Sequence, residues 1–170
     1  MKKVIIMALF CIITVCAKAQ IETGYRGFVD AGYGISVSKV TFDTGYYGSV
    51  EADISNQAFL TTSHGYQVMS HLFVGGGAGV TYYHEGSTVA FPVFGHVRTD
   101  FGSRLGYFAE VKGGYTVKDI DGAFISPAIG IRYALTDNLG INLGVGYLAQ
   151  KVKDMDGTLG AINIKVGIDF

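Results

Sequence analysis

The chain has 170 residues, with 13 Lys plus Arg against 14 Asp plus Glu and a formal net charge of −1. The charges are interspersed, with no basic stripe, so the chain lacks the electrostatic footprint of a nucleic-acid binder. Its length suits one domain, and its 25 glycines, 11 tyrosines and 11 phenylalanines, beside 2 prolines and no tryptophan, are unusual for a soluble one.

The N-terminus reads as an export signal. Met1-Lys2-Lys3 is a short basic start, Val4 to Val15 is an apolar run, and Ala17-Lys18-Ala19 supplies the small residues of a cleavage site before Gln20. The run falls short of the ~20 residues that a membrane-spanning helix needs. Both cysteines, Cys11 and Cys16, lie in this segment. The expected mature chain, from residue 20, is a single domain with no cysteine, hence no disulfide, thiolate metal site or cysteine nucleophile. Loss of Lys2, Lys3 and Lys18 leaves it mildly acidic.

No later stretch is long and apolar enough for a spanning helix; instead, segments of period-two alternation recur between turn residues. The first predicted strand runs from about Gly24 to Ser38, with Tyr25, Val29, Ala31, Tyr33, Ile35 and Val37 on one face and Arg26, Asp30 and Ser36 on the other. Lys39 to Tyr47 is expected to be the longest loop at one end. The second strand, about Gly48 to Val68, is the least regular, with an apolar set of Val50, Ala52, Ile54, Ala58 and Leu60. Met69-Ser70-His71 is a short connection into the third strand, Leu72 to Tyr83. The fourth strand sets Val89, Phe91, Val93, Val97 and Phe101 against Phe94, His96, Arg98 and Asp100. The fifth sets Tyr107, Ala109, Val111, Tyr115 and Val117 against Glu110, Lys112 and Thr116, and Asp121-Gly122 signals a hairpin. The sixth carries Ile125, Ile129, Ile131 and Tyr133 opposite Arg132, and the seventh Ile141, Leu143, Val145 and Tyr147 opposite Gln150. The eighth alternates from Ile162 to the terminal Phe170, with Lys165 and Asp169 on its polar face.

Eight strands joined by hairpin-sized connections describe an all-β, antiparallel up-and-down barrel. A secreted soluble barrel would turn its apolar face inward; a transmembrane barrel turns it toward lipid. Two features favour the second arrangement. Tyr25 and Tyr33, Tyr107 and Tyr115, and Phe91 and Phe101 share faces at spacings that span roughly 20–25 Å along a tilted barrel, the separation of two aromatic girdles. The polar face carries nearly balanced charges: Arg26, Asp30, His96, Arg98, Asp100, Glu110, Lys112, Arg132, Lys165 and Asp169. In a lumen just wide enough to be filled by side chains, such charges must pair. These ten residues are the expected interior network, and Ile162, Ile164, Val166, Ile168 and Phe170 are expected to face lipid.

The mature chain resembles the small outer-membrane β-barrel proteins of Gram-negative bacteria, of the OmpA/OmpX type, and especially the porin-like barrel family common in Bacteroidetes. The likeness rests on Ser63-His64-Gly65-Tyr66-Gln67, Phe73-Val74-Gly75-Gly76-Gly77-Ala78-Gly79-Val80, Ser126-Pro127-Ala128-Ile129-Gly130-Ile131-Arg132 and the terminal strand. It implies export to the cell outer membrane and contact with its lipid and lipopolysaccharide. It also implies that Ile164, Val166, Ile168 and Phe170 form the signal read by the barrel-assembly machinery. It implies no particular activity and leaves the oligomeric state open.

Catalytic and metal signals are weak. Some barrels of this size modify lipid A with Ser and His, and Ser63 with His64, Ser70 with His71, and His96 are the candidates. Adjacent strand residues point to opposite faces, so Ser63 and His64 do not form a nucleophile–base pair. Asp119 with Asp121, and Asp154 with Asp156, are read as turn carboxylates rather than a Ca²⁺ site. No cofactor, metal or enzymatic role is therefore expected. A plugged barrel with a structural or surface-binding role leads, with a narrow porin-like channel as the alternative and a lipid A-modifying enzyme less favoured.

Overall fold

A computed structural model describes residues 24–37, 39–43, 49–53, 56–84, 87–102, 104–118, 120–152 and 158–170. The export signal, both cysteines, Ile54, Asp119, Asp154 and Asp156 lie outside the described residues. Ten strands follow in chain order: β1 (Tyr25–Ser36), β2 (Lys39–Asp43), β3 (Ser49–Asp53), β4 (Gln57–Met69), β5 (Leu72–Tyr83), β6 (Thr88–Gly102), β7 (Leu105–Val117), β8 (Gly122–Thr136), β9 (Leu139–Val152) and β10 (Thr158–Asp169).

Eight of them, β1 and β4 to β10, form a closed antiparallel barrel in which β4 to β10 pair consecutively in chain order. Closure comes from β1, which pairs β10 from Phe28↔Asp169 to Ser36↔Ala161 and β4 from Tyr25↔Tyr66 to Gly34↔Gln57. Mutual backbone hydrogen bonds between Gly27 and Phe170 (2.7 and 3.0 Å) extend the seam to the last residue. Three connections at one end have only two residues each, after β4, β6 and β8; both described chain ends lie at this same end. Register shifts at Gln67/Met69 and Ala134/Thr136 lie beside two of these turns, where an extra residue bends the strand into the turn. In a barrel without edges a proline must interrupt a ladder. The β5–β6 ladder skips from Ala78↔Val93 to Thr81↔Ala90 at Pro92, and the β8–β9 ladder from Ile125↔Ala149 to Ala128↔Gly146 at Pro127.

The second predicted strand requires correction. Residues 49–53 belong to β3, which pairs with β2 from Lys39↔Asp53 to Asp43↔Ser49 as a separate two-stranded hairpin. The barrel strand begins at Gln57. Part of the expected long loop, 39–43, is thus also strand. Alternation runs through both segments with the same period, so it cannot separate a hairpin arm from a barrel wall.

The apolar face points outward. Ile129, Ile164 and Val166 are 64%, 54% and 54% exposed, whereas Asn163 and Lys165, which alternate with the apolar residues of β10, are buried. Outward aromatics gather in two belts. Tyr66, Phe101, Tyr107 and Tyr133 lie near the short turns, and Tyr33, Tyr82, Phe91, Tyr115 and Tyr147 lie toward the other end; all are exposed. Between the belts the wall is aliphatic. At ~3.3 Å per residue and a tilt near ~40°, the eight-residue step from Tyr107 to Tyr115 rises roughly 20 Å, close to the apolar band of a membrane barrel. A molecule with this surface is stable only with lipid around it.

Phe170 departs from the expectation. It has the outward parity of Ile164, Val166 and Ile168, yet it is 3% exposed. Gly27 has no Cβ, and the Phe170 ring occupies the space where one would stand, 6.2 Å from the ring of His64. The terminal aromatic therefore lies flat on the seam rather than projecting into lipid.

Candidate functional site: the barrel lumen

All ten residues of the expected interior network project into the lumen, brought there by inward parity on β1, β6, β7, β8 and β10. They form two connected layers. Near the short turns, Asp169 accepts hydrogen bonds from Arg26 Nη2 (2.9 Å), Arg132 Nη2 (2.7 Å) and Asn142 Nδ2 (2.9 Å). Arg26 Nη1 also donates to Asp100 Oδ2 (2.6 Å) and Gln67 Oε1 (3.0 Å). Arg98 closes the layer, donating through Nε (3.0 Å) and Nη2 (2.8 Å) to Asp100 Oδ1 and through Nη2 to Asn142 Oδ1 (2.6 Å).

The second layer sits at mid-barrel. Lys112 Nζ donates to Asp30 Oδ2 (2.6 Å) and Thr61 Oγ1 (3.2 Å). Lys165 Nζ donates to Glu110 Oε1 (2.6 Å) and Asp30 Oδ2 (3.1 Å). Gly167 makes room here, because a Cβ at that position would meet Asp30 Oδ1. Arg98 Nη1 lies 3.6 Å from Glu110 Oε2 and ties the two layers together. Across both, Arg26, Arg98, Lys112, Arg132 and Lys165 meet Asp30, Asp100, Glu110 and Asp169.

Aromatic rings take the remaining space. Phe28 lies between the guanidinium groups of Arg26 (4.8 Å) and Arg98 (4.7 Å), and Phe108 lies under Arg98 (3.8 Å) and Lys165 (5.2 Å). Such cation–π packing adds attraction where charges are desolvated. Arg98 and His96 are each 0% exposed.

One arrangement was not legible in the sequence. Ser63 Oγ is 2.8 Å from His96 Nδ1, and His96 Nε2 is 3.3 Å from Glu110 Oε2. These are the residue types of a nucleophile–base–orienter row, joined across the lumen from β4, β6 and β7. The second contact lacks hydrogen-bond alignment: His96 Nε2 and Glu110 Oε2 both stand without a hydrogen-bond partner. Ser63 is 1% exposed, and the rings of Phe28 and Phe73 stand edge-on to His96 at 5.3 and 5.2 Å. The Ser63 hydroxyl is buried behind two phenylalanines, and its contact with His96 ties β4 to β6 past the intervening β5. The only sequence signal for it is the shared inward parity of Ser63 and His96.

The other candidates fall elsewhere. His64 faces outward, as strand parity requires, with Nδ1 2.5 Å from the Tyr25 hydroxyl and Nε2 2.9 Å from Thr62 Oγ1. Ser70 Oγ and His71 Nδ1 lie 3.2 Å apart in an exposed turn.

Beyond the second layer, away from the short turns, the lumen opens into a cavity of about 70 Å³. Lys112, Lys165 and Glu110 form its floor, and Phe59, Phe94, Phe124, Gln57, Gln150 and Asn163 are among its walls. At the opposite end a mouth of about 550 Å³ is lined by Arg26, Asp100, Arg104, Arg132 and Asp137. The charged layers lie between the two.

No family model matches the chain, and no curated protein matches it. Solved structures do. Neisserial surface protein A aligns over 85% of this chain and 94% of its own, with a TM-score of 0.59 at 12% identity. A de novo designed transmembrane β-barrel aligns over 89% of this chain and 100% of its own, with a TM-score of 0.50 at 14% identity. Ail, the attachment invasion locus protein of Yersinia pestis, is a looser match, with a TM-score of 0.46 at 13% identity over 86% of this chain and 99% of its own. At such identities the likeness is one of fold. With the outward apolar band and inward charges, it gives the chain the fold of the small outer-membrane β-barrels of the OmpA/OmpX type.

Proposed function

We propose that the protein is an integral outer-membrane barrel whose lumen is plugged, and that it acts as a structural element or small binding platform at the cell surface. The observation that carries this reading is the pair of ion-paired layers. Their charges reach across the lumen between non-adjacent strands, as in Asp30–Lys112 from β1 to β7, Lys165–Glu110 from β10 to β7 and Arg26–Asp100 from β1 to β6. Arg26, Asp30, Lys112, Lys165 and Asp169 are each held by two or more partners, so opening a water path would strip several buried charges at once.

The lipid-facing wall would contact acyl chains and lipopolysaccharide. The terminal residues Ile164, Val166, Ile168 and Phe170 would be read by the barrel-assembly machinery during insertion.

The test has two parts. Cells expressing the protein are fractionated, and it should appear in outer membranes and migrate faster on gels when unheated than when boiled. Purified protein is then placed in liposomes, which should not swell in an isotonic small-sugar solution. Recovery as a soluble periplasmic or secreted protein contradicts the membrane assignment, and rapid swelling contradicts the plug.

A further inference from the structure

We infer that the cavity above the mid-barrel charges is a binding site for a small uncharged molecule with a hydroxyl head and a short apolar body. The inference deepens the binding-platform reading and rests on the sealed floor. Three observations define the ligand. The first is charge. Lys112 and Lys165 at the floor are matched by Asp30 and Glu110 within 3.1 Å. A charged guest would bring an unpaired charge into this balanced, buried set, at a heavy desolvation cost.

The second is hydrogen bonding. An ammonium has three N–H donors. Lys112 uses two of them, on Asp30 and Thr61, and Lys165 uses two, on Asp30 and Glu110. Each keeps one donor. On the wall, Gln57 is 2% exposed and its Oε1 has no hydrogen-bond partner, although its Nε2 donates to Asn163 Oδ1 at 3.3 Å. A buried acceptor left unmatched is costly. A guest hydroxyl suits this set, since it can accept from a lysine at the floor or donate to the amide oxygen on the wall.

The third is shape. The rings of Phe94 and Phe124 stand 6.3 Å apart, edge to face, and with Phe59 and Leu148 they make an apolar wall. A cavity of about 70 Å³ is roughly half of the ~150 Å³ that accommodates benzene. That limits the guest to a few heavy atoms, the size of a short-chain alcohol or diol. With the floor closed, the guest would enter and leave by the same end.

The experiment uses the mature protein in lipid nanodiscs and follows the side-chain amide signals of Gln57 and Gln150 while 1-propanol is added. Saturable shifts are expected, with none on adding propionate. Ala128→Leu, which fills the cavity, should raise the half-saturation concentration about tenfold or more; Gln57→Leu, which leaves the space but removes the acceptor, should weaken binding as well. Both variants are checked for heat-modifiable migration. Shifts that stay linear in propanol and unchanged in a folded variant overturn the inference and leave the cavity to water. Saturable binding of propionate overturns the uncharged class. Conductance through the wild-type protein overturns the plug instead, so the two failures are distinguishable.

Discussion

At the residue scale, Asp169 holds Arg26, Arg132 and Asn142 together by hydrogen bonds. Asp169→Asn keeps the shape but removes the counter-charge of Arg132 and leaves Arg26 with Asp100 alone. Loss of about 3–5 kcal/mol is expected, measured by urea unfolding in lipid vesicles, with Arg132→Met/Asp169→Leu recovering part of it. Phe170 behaves differently because its ring fills the space over Gly27 on the seam. Phe170→Ala should lower the amount of barrel reaching the outer membrane several-fold in cells, while the purified variant still refolds in detergent. Equal yields in cells would contradict the proposed assembly-signal role. The burial of Phe170 was not legible in the sequence. Parity correctly gives its outward side, but only the register brings a glycine opposite the last residue.

At the element scale, β10 shows why alternation was informative. Ile162, Ile164, Val166 and Ile168 are exposed while Asn163, Lys165 and Asp169 are buried, so one strand carries both environments. Ile164→Arg puts a charge into the middle of the lipid-facing band and should cost about 2–4 kcal/mol, read from the same urea titration; a soluble orientation would predict little change at so exposed a position. The period of two was visible in the sequence for β1 and β5 to β10, because each strand has one face in lipid and one in the lumen. It failed for the segment before Gln57, where β3 shares the period but pairs with β2 rather than with the barrel. Pairing partners of a hairpin are set by backbone hydrogen bonds that leave no separate mark on composition.

At the scale of the whole molecule, closure leaves no free strand edge in the barrel, so its walls need only lipid outside and a filled space inside. Nearly balanced inward charges were legible as a group, since a narrow lumen must largely neutralise them. Their partners were not. The contacts of Ser63 with His96, Arg26 with Asp100 and Lys165 with Glu110 all cross between non-adjacent strands. Such contacts depend on barrel shear, which alternation along single strands does not encode. In the proposed plug the same crossing contacts block the water path, so the most direct measurement is single-channel recording of the purified protein in a planar bilayer at physiological salt. A barrel sealed by its two charged layers gives a silent membrane at every voltage the bilayer tolerates. A recurrent unitary conductance, present at low protein concentration and scaling with the protein added, would contradict it.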